Sequence, residues 1–480
     1  MTDQQRWDSL SCIGGAAETP NIDSLASQGT VFTRAYSATP SCVPARASLM
    51  TGMDPWNTGI LGMGPGQPEC ANLSNTLPEV LSSIGYHTIG VGKMHFRPQR
   101  SLQGFHRTVV DESRRQYDPE FVSDYQRWFE QNAPAGCDTY EHGVDANSWM
   151  ARPSTLPEHL HPTNWTARES IRALQTRDPS RPFFLKMSFA RPHSPYDPPP
   201  YYFDLYQRKG VPPAVVGDWA ERNDVLSDAA DVNAWRGRRT NEEIARARAG
   251  YLGSITHIDH QIGRLLIELR RNGQFDNTMF VFTSDHGDML GDHHLWRKTY
   301  AYEGSAHIPL IVRPPRREDN DESWAIQSDA TVCLQDIMPT ILEACGATIP
   351  ETVDGHSLLG ICRGERDSIR PFVHGEHSTC YHPDQEMQYL TDGHWKYIWL
   401  PRRGEEQLFN LDKDPYECHD IADETQHAEE LSRWRARLVR ILADREASLT
   451  DGEDLIPQNG RDYLISPQAA DRVVSYASKD

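Results

Sequence analysis

The chain lacks several things, and each gap removes a class of function. It has no uninterrupted apolar run near the roughly 18 residues that span a bilayer, and its mean hydropathy is −0.64. It has no CxxC pair: the nine cysteines (Cys12, Cys42, Cys70, Cys137, Cys333, Cys345, Cys362, Cys380 and Cys418) are scattered and odd in number. That spacing argues against a disulfide framework and against structural zinc, and fits a reducing compartment. It is short of positive charge, with 48 Lys and Arg against 68 Asp and Glu and a formal net charge of −20. Nucleic acid and anionic membrane surfaces are therefore poor partners. No secretory leader follows Met1, so the chain as it stands reads as cytoplasmic. A periplasmic or secreted location would need an N-terminal segment with a signal peptide.

What is present is an alternation of apolar strands and amphipathic helices over 480 residues. Val31–Tyr36, Tyr86–Lys93, Pro182–Phe189, Thr278–Thr283 and Ile308–Val312 read as strands. Residues 20–30, 77–85, 241–272 and 335–345 read as helices, and residues beyond Pro44 can start another. This pattern predicts an α/β fold with a large, mixed, mostly parallel sheet flanked by helices. Residues 97–180 and 197–240, polar and rich in Pro and aromatic residues, read as surface elaborations. Around residue 371 the character changes to short strands parted by Asp392-Gly393 and Arg402-Arg403-Gly404, then a helix over about 425–446. The expected division is a catalytic unit over 1–370 and a C-terminal unit over 371–480 with a small antiparallel sheet and helix.

An acidic protein that handles an anion must gather cations locally. Chemical groups recur at the ends of the apolar strands: Asp3 and Gln4, Cys42 with Arg46, Lys93 with His95, His193, Asp285 with His286, and Lys298. In α/β sheets, ligands gather at the carboxyl ends of strands. Taken singly, each residue is as well read as a cap, a core histidine or a surface charge.

Taken together, they resemble the type I sulfatases of the alkaline-phosphatase superfamily. The resemblance runs in order along nearly the whole chain: Thr2-Asp3-Gln4, Cys42-Val43-Pro44-Ala45-Arg46 with Ala47-Ser48-Leu49-Met50-Thr51-Gly52, Gly92-Lys93-Met94-His95, Arg191-Pro192-His193, and Ser284-Asp285-His286-Gly287-Asp288 with Lys298. It implies that a formylglycine-generating maturation enzyme converts Cys42 to Cα-formylglycine. One hydroxyl of the hydrated aldehyde attacks sulfur, the alcohol leaves, and deprotonation of the second hydroxyl expels sulfate. It implies a divalent metal held by Asp3, Gln4, Asp285 and His286 beside residue 42. Ca²⁺ is the usual ion, with Mg²⁺ or Mn²⁺ open because His286 brings an imidazole. Arg46 would neutralise the nucleophile region, and Lys93 and Lys298 would bind sulfate oxygens. His95 would be the base for sulfate elimination, and His193 with Lys298 would protonate the leaving oxygen.

Two departures from the family pattern stand out. The apolar strand that relatives carry before Thr-Asp is missing, which predicts an empty central sheet position and a poorly held Asp3. Ala45 stands where Ser is commoner. The expected substrate is a sulfated carbohydrate, then an aryl or choline sulfate. The alternatives are a phosphonate monoester hydrolase or phosphodiesterase of the same superfamily, and a non-catalytic, metal-stabilised binder of sulfated ligands.

Overall fold

The computed structural model describes residues 1–316, 327–445, 447–458, 460 and 462–472. Its main sheet comes in two ribbons. One has the order β3-β2-β4, formed by Arg107–Val110, His87–Gly92 and Phe183–Ser188. The other has the order β5-β6-β1-β7, formed by Phe280–Thr283, His307–Arg313, Thr30–Tyr36 and Gln327–Cys333. β2 pairs in parallel with both β3 and β4, and β1 with β7. Among the described strands of this sheet, β6 alone runs against its neighbours.

Met1–Asp3 stitch the ribbons together. The Met1 amino group donates to Met187 O at 2.7 Å, and Thr2 N donates to Thr283 O at 3.0 Å. Asp3 N donates to Arg191 O, and Asp3 O accepts from His193 N at 3.1 Å. Asp3 is fully buried. The expectation of a poorly held Asp3 is thus corrected: its backbone is bonded to Arg191 and His193 beyond β4, and Thr2 beside it to Thr283 of β5.

Both faces of the sheet are covered. On β6, Ile308, Leu310 and Val312 join a core with Phe32, Met50, Val332 and Ile337, while Ile311 turns to a core with Ile22, Leu25, Ile258 and Leu266. This period of two is what a strand buried on both faces requires. The second core is built on the 31-residue helix Asn241–Arg271, which starts at a Thr240/Glu243 capping box and carries acids in its first turn and arginines in its last.

The C-terminal sheet is an antiparallel meander, β8 to β11: Val373–His377, Met387–Thr391, Trp395–Leu400 and Glu405–Asn410. Helix Ala428–Ala443 packs Trp434, Leu438 and Leu442 on one face, against Leu390, Tyr397 and Leu408. The other face, with Tyr389, Ile398 and Phe409, packs on Met289, Leu295 and Tyr302 next to the strand-end residues.

The structure departs from the sequence reading in two further stretches of the fold. Residues 97–180 are not all surface elaboration, since Arg107–Val110 is a sheet strand and Pro162–Thr176 a packed helix. The charged stretch after Val312 lies partly outside the described residues, and strand β7 follows it. Among the described residues no helix is long and apolar enough to cross a membrane.

Candidate active site

Cys42 sits in the first turn of helix Cys42–Thr51, so the helix begins earlier than the expected start after Pro44. Pro44 fits there because N–H groups of a first turn have no helical acceptor. Gly52 closes the helix in the left-handed region at φ 68°, with its N–H on Ser48 O. Every residue of the helix except Val43 is buried. Arg46, one turn after Cys42, therefore shares its face. Its Nε donates to Asp285 Oδ2 at 2.9 Å, and its Nη1 donates to Lys93 O at 2.6 Å and Ser188 Oγ at 3.0 Å. Arg46 ties three strand ends together and holds the Asp285 carboxylate in place.

Around the Cys42 sulfur stand His286 Nε2 at 3.2 Å, Lys93 Nζ at 3.5 Å and Asp3 Oδ1 at 3.6 Å. Lys93 also pairs with Asp3 Oδ2. One donor atom from each of Asp3, Cys42, Asp285 and His286 lies within 4.8 Å of the others, and all four residues are buried. His286 Nδ1 lies 2.9 Å from Gly287 O. A carbonyl can only accept, so Nδ1 carries a proton, and Nε2 faces the cluster.

Gln4, at φ 70°, lies beside this cluster. Its backbone N–H donates to Asp285 Oδ1 at 3.0 Å, its Nε2 donates to Asp288 Oδ2 at 2.5 Å, and its Oε1 accepts from Lys298 Nζ at 2.8 Å. Lys298 Nζ is also 2.8 Å from His193 Nε2, and Arg115 Nη2 is 3.2 Å from that nitrogen. His193 Nδ1 is on Ser194 O at 2.8 Å, so Nε2 is the acceptor for both cations. His95, at φ 60°, turns Nε2 to Tyr117 Oη at 2.7 Å, and its buried Nδ1 has no partner among the described residues.

The electrostatics follow from burial set against charge. Burial and the Asp3 charge push the Cys42 thiol up, but Lys298, Lys93 and His286 outweigh them and bring it down to about 6. Burial also raises Asp3, yet Lys93, His193, Arg46 and Lys298 hold it well below the usual carboxylate range. Burial, then Lys298, holds His193 well below an ordinary imidazole. Burial, Lys93 and Arg115 do the same to His95.

Glu112, Arg115 and Tyr117 are absent from the sequence reading, and Asp288 stands in its motif without a role. Glu112 Oε1 accepts from the N–H groups of Met94 at 3.1 Å and His95 at 2.9 Å, which clamps the turn that presents Lys93. Asp288 Oδ1 accepts from the N–H groups of Leu290 and Arg297, and its Oδ2 from Tyr196 Oη. The acidic pair after the short apolar Val109-Val110 was the available signal for Glu112.

Structures with this architecture are alkaline-phosphatase-like. The chain superposes on the phosphonate monoester hydrolase of Agrobacterium radiobacter with a TM-score of 0.76, at 24% identity, over 95% of this chain and 98% of that one. It also superposes on a protein solved in complex with its substrate D-glucosamine-2-N,6-O-disulfate, with a TM-score of 0.71, at 20% identity, over 92% and 96%. At these identities the likeness establishes the fold alone.

The sulfatase family model matches residues 1–347, and the C-terminal model of N-sulphoglucosamine sulphohydrolase matches residues 291–444. The chain belongs to the sulfatase family. An arylsulfatase of Clostridium perfringens is 41% identical over 95% of this chain and 96% of its own length. A choline-sulfatase of Rhizobium meliloti is 28% identical over 84% and 77%. The protein is accordingly a sulfuric ester hydrolase.

Proposed function

We propose that the chain hydrolyses a sulfate ester of a carbohydrate, releasing alcohol and inorganic sulfate, after Cys42 is converted to formylglycine by a maturation enzyme. The observation that carries this reading is the convergence of Asp3, Asp285, His286 and Lys93 on residue 42. The formylglycine hydrate supplies a nucleophilic hydroxyl and a second hydroxyl whose deprotonation expels sulfate. A divalent cation held by Asp3, Asp285, His286 and residue 42, with Gln4 Oε1 as a further oxygen, supplies Lewis acidity. Two carboxylates and an amide favour Ca²⁺, while the imidazole leaves Mg²⁺ or Mn²⁺ open.

The chain's own groups divide the remaining work. Lys93 Nζ, next to both Asp3 and residue 42, meets the sulfate oxygens. Lys298 Nζ lies between Gln4 and His193 and has protons to give, so it forms with His193 the line that protonates the leaving oxygen. The buried Nδ1 of His95, without a partner among the described residues, is the acceptor for the elimination step. Arg46 holds the Asp285 carboxylate in place, and stays a positioning residue. The unit over 371–480 walls the site: His377 Nε2 lies 2.9 Å from Ser41 Oγ, one residue before Cys42.

The substrate class rests on the neighbour holding a glucosamine disulfate, with aryl and choline sulfates next because relatives carry those names. Peptide mass spectrometry over residues 35–46 reads the conversion of Cys42. Sulfate release from an aryl sulfate, with Cys42→Ala as control, reads the activity. Phosphonate-ester turnover without sulfate release would move the assignment to the phosphonate hydrolases.

A further inference from the structure

Arg297 is a buried cation for which the reaction has no evident use. It precedes Lys298, and its backbone is held by Asp288 Oδ1 on its N–H and by the Met289 N–H on its carbonyl. The residue adopts φ 65° on the way. A bulky side chain in the left-handed region is a strained choice, and such strain gathers at binding and catalytic positions. The side chain is only 7% exposed, yet its Nε and Nη2 donate to nothing among the described residues, and no carboxylate there pairs with it. The contrast with its neighbours is plain. Arg46 pairs with Asp285, Arg191 with Asp197, and Arg6 and Arg248 with Asp292. An arginine removed from water is normally matched with an anion, because its charge and its N–H groups otherwise go unmet.

The surroundings place this unmatched charge beside the reacting group. The guanidinium lies over the Tyr381 ring, 5.0 Å from its centroid. Tyr381 and its neighbour Cys380 feel the charges of both Cys42 and Arg297, and Cys380 that of Lys298 as well. Through its own N–H, Arg297 shares Asp288 with Gln4, and it directly precedes the Lys298 that reaches Gln4 and His193, so the Cys380-Tyr381 segment it touches borders the site. Its phenol face offers a platform for a sugar or aryl ring, and the idle Nε and Nη2 form the edge of a guanidinium suited to bidentate contact with a carboxylate or sulfate.

We propose that Arg297 is a specificity-determining residue that receives a second anionic group, a carboxylate or a further sulfate, carried by the same substrate molecule close to the scissile ester. This inference rests on the sulfate-ester reading above and narrows its substrate class to di-anionic molecules.

The test uses phenyl sulfates carrying a carboxylate ortho, meta or para to the ester, each paired with its methyl ester, which keeps the shape and loses the charge. The converted wild-type enzyme should prefer the carboxylate to its methyl ester at one or more positions, by about ten-fold or more in kcat/KM. Arg297→Met should abolish that ratio, and Arg297→Lys, which keeps the charge without the planar fork, should retain part of it. Thermal unfolding of each variant establishes that it is folded, and if Arg297→Met does not fold, Arg297→Lys carries the comparison. No preference in the wild type at any position overturns the proposal, as does a preference that survives Arg297→Met. Absence of sulfate release from every ester, charged or neutral, is a different failure: it removes the sulfate-ester reading itself.

Discussion

Lys186 on β4 offers a sharp test of how this interior treats charge. It is 7% exposed, its ammonium has Met94 Sδ at 3.7 Å and the Phe96 ring centroid at 6.0 Å, and no carboxylate pairs with it among the described residues. Burial, then the positive charge of Arg46, brings it down to about 7. A lysine in the unfolded chain titrates near 10.4, so holding this one protonated in the fold costs about 4–5 kcal/mol. That is a large share of the ~5–15 kcal/mol that stabilises a typical domain. The sign follows from proton counts. Between about pH 7 and about pH 10 the unfolded chain binds this proton and the folded chain does not, so stability rises with pH across that window; below it the full cost is present. Lys186→Met keeps the length and removes the charge. It should stabilise the protein by several kcal/mol near about pH 6, with the gain shrinking towards zero near about pH 10. Urea midpoints of the two chains, taken at matched pH, read the difference. A difference that does not vary with pH, or a loss of stability at about pH 6, would refute the reasoning.

Other perturbations have equally definite outcomes. Gly92→Ala should abolish sulfate release and lower the thermal midpoint, because at φ 92° a Cβ would lie 2.0 Å from Ser188 O and would displace Lys93. Arg46→Ala strands the buried Asp285 carboxylate and should cost about 3–5 kcal/mol, measured by denaturing the unconverted chain so that catalysis plays no part. Lys396→Met leaves Glu303 and Glu417 facing each other without their shared ammonium. In the native chain burial already raises Glu417 to about 7. The variant should unfold more easily by a few kcal/mol at neutral pH and recover as falling pH protonates the two acids. The unconverted chain, with the Cys42 sulfur still in the donor set, should retain zinc through a chelator wash that strips the converted chain, as metal analysis would show.

How far the sequence discloses this site depends on how locally each residue is fixed. Cys42 and Arg46 are legible because one helical turn separates them. Asp285 and His286 follow an apolar strand, and Lys93 follows Gly92 at the end of another. β3 and β7 are not legible. Arg107-Thr108-Val109-Val110 is too short to show a period, and the first half of β7, Gln327-Ser328-Asp329, is polar because it lies at the exposed end of its strand. The start of helix Cys42–Thr51 is not legible because Pro44 marks a first turn without fixing its place in it, and Pro44 is in fact the third residue.

Glu112 shows why the remainder needed coordinates. β2 and β3 are parallel, with Gly92 opposite Val110. Two parallel strands in that register release their chains side by side at the same edge. The residue two beyond Val110 is then level with the residues two and three beyond Gly92, where the N–H groups of Met94 and His95 would otherwise be buried without acceptors. A carboxylate there satisfies both amides and fixes the positive φ of His95, so Lys93 arrives at Asp3 already oriented. Nothing in the eighteen-position separation of Met94 and Glu112 encodes that distance locally; the register of the sheet does. The same logic separates the positions that chemistry marks from those that geometry marks. The groups that react can be recognised by type. The groups that hold them, Glu112 behind Lys93 and Asp288 behind Gln4, are ordinary carboxylates whose role exists only once two strands lie side by side.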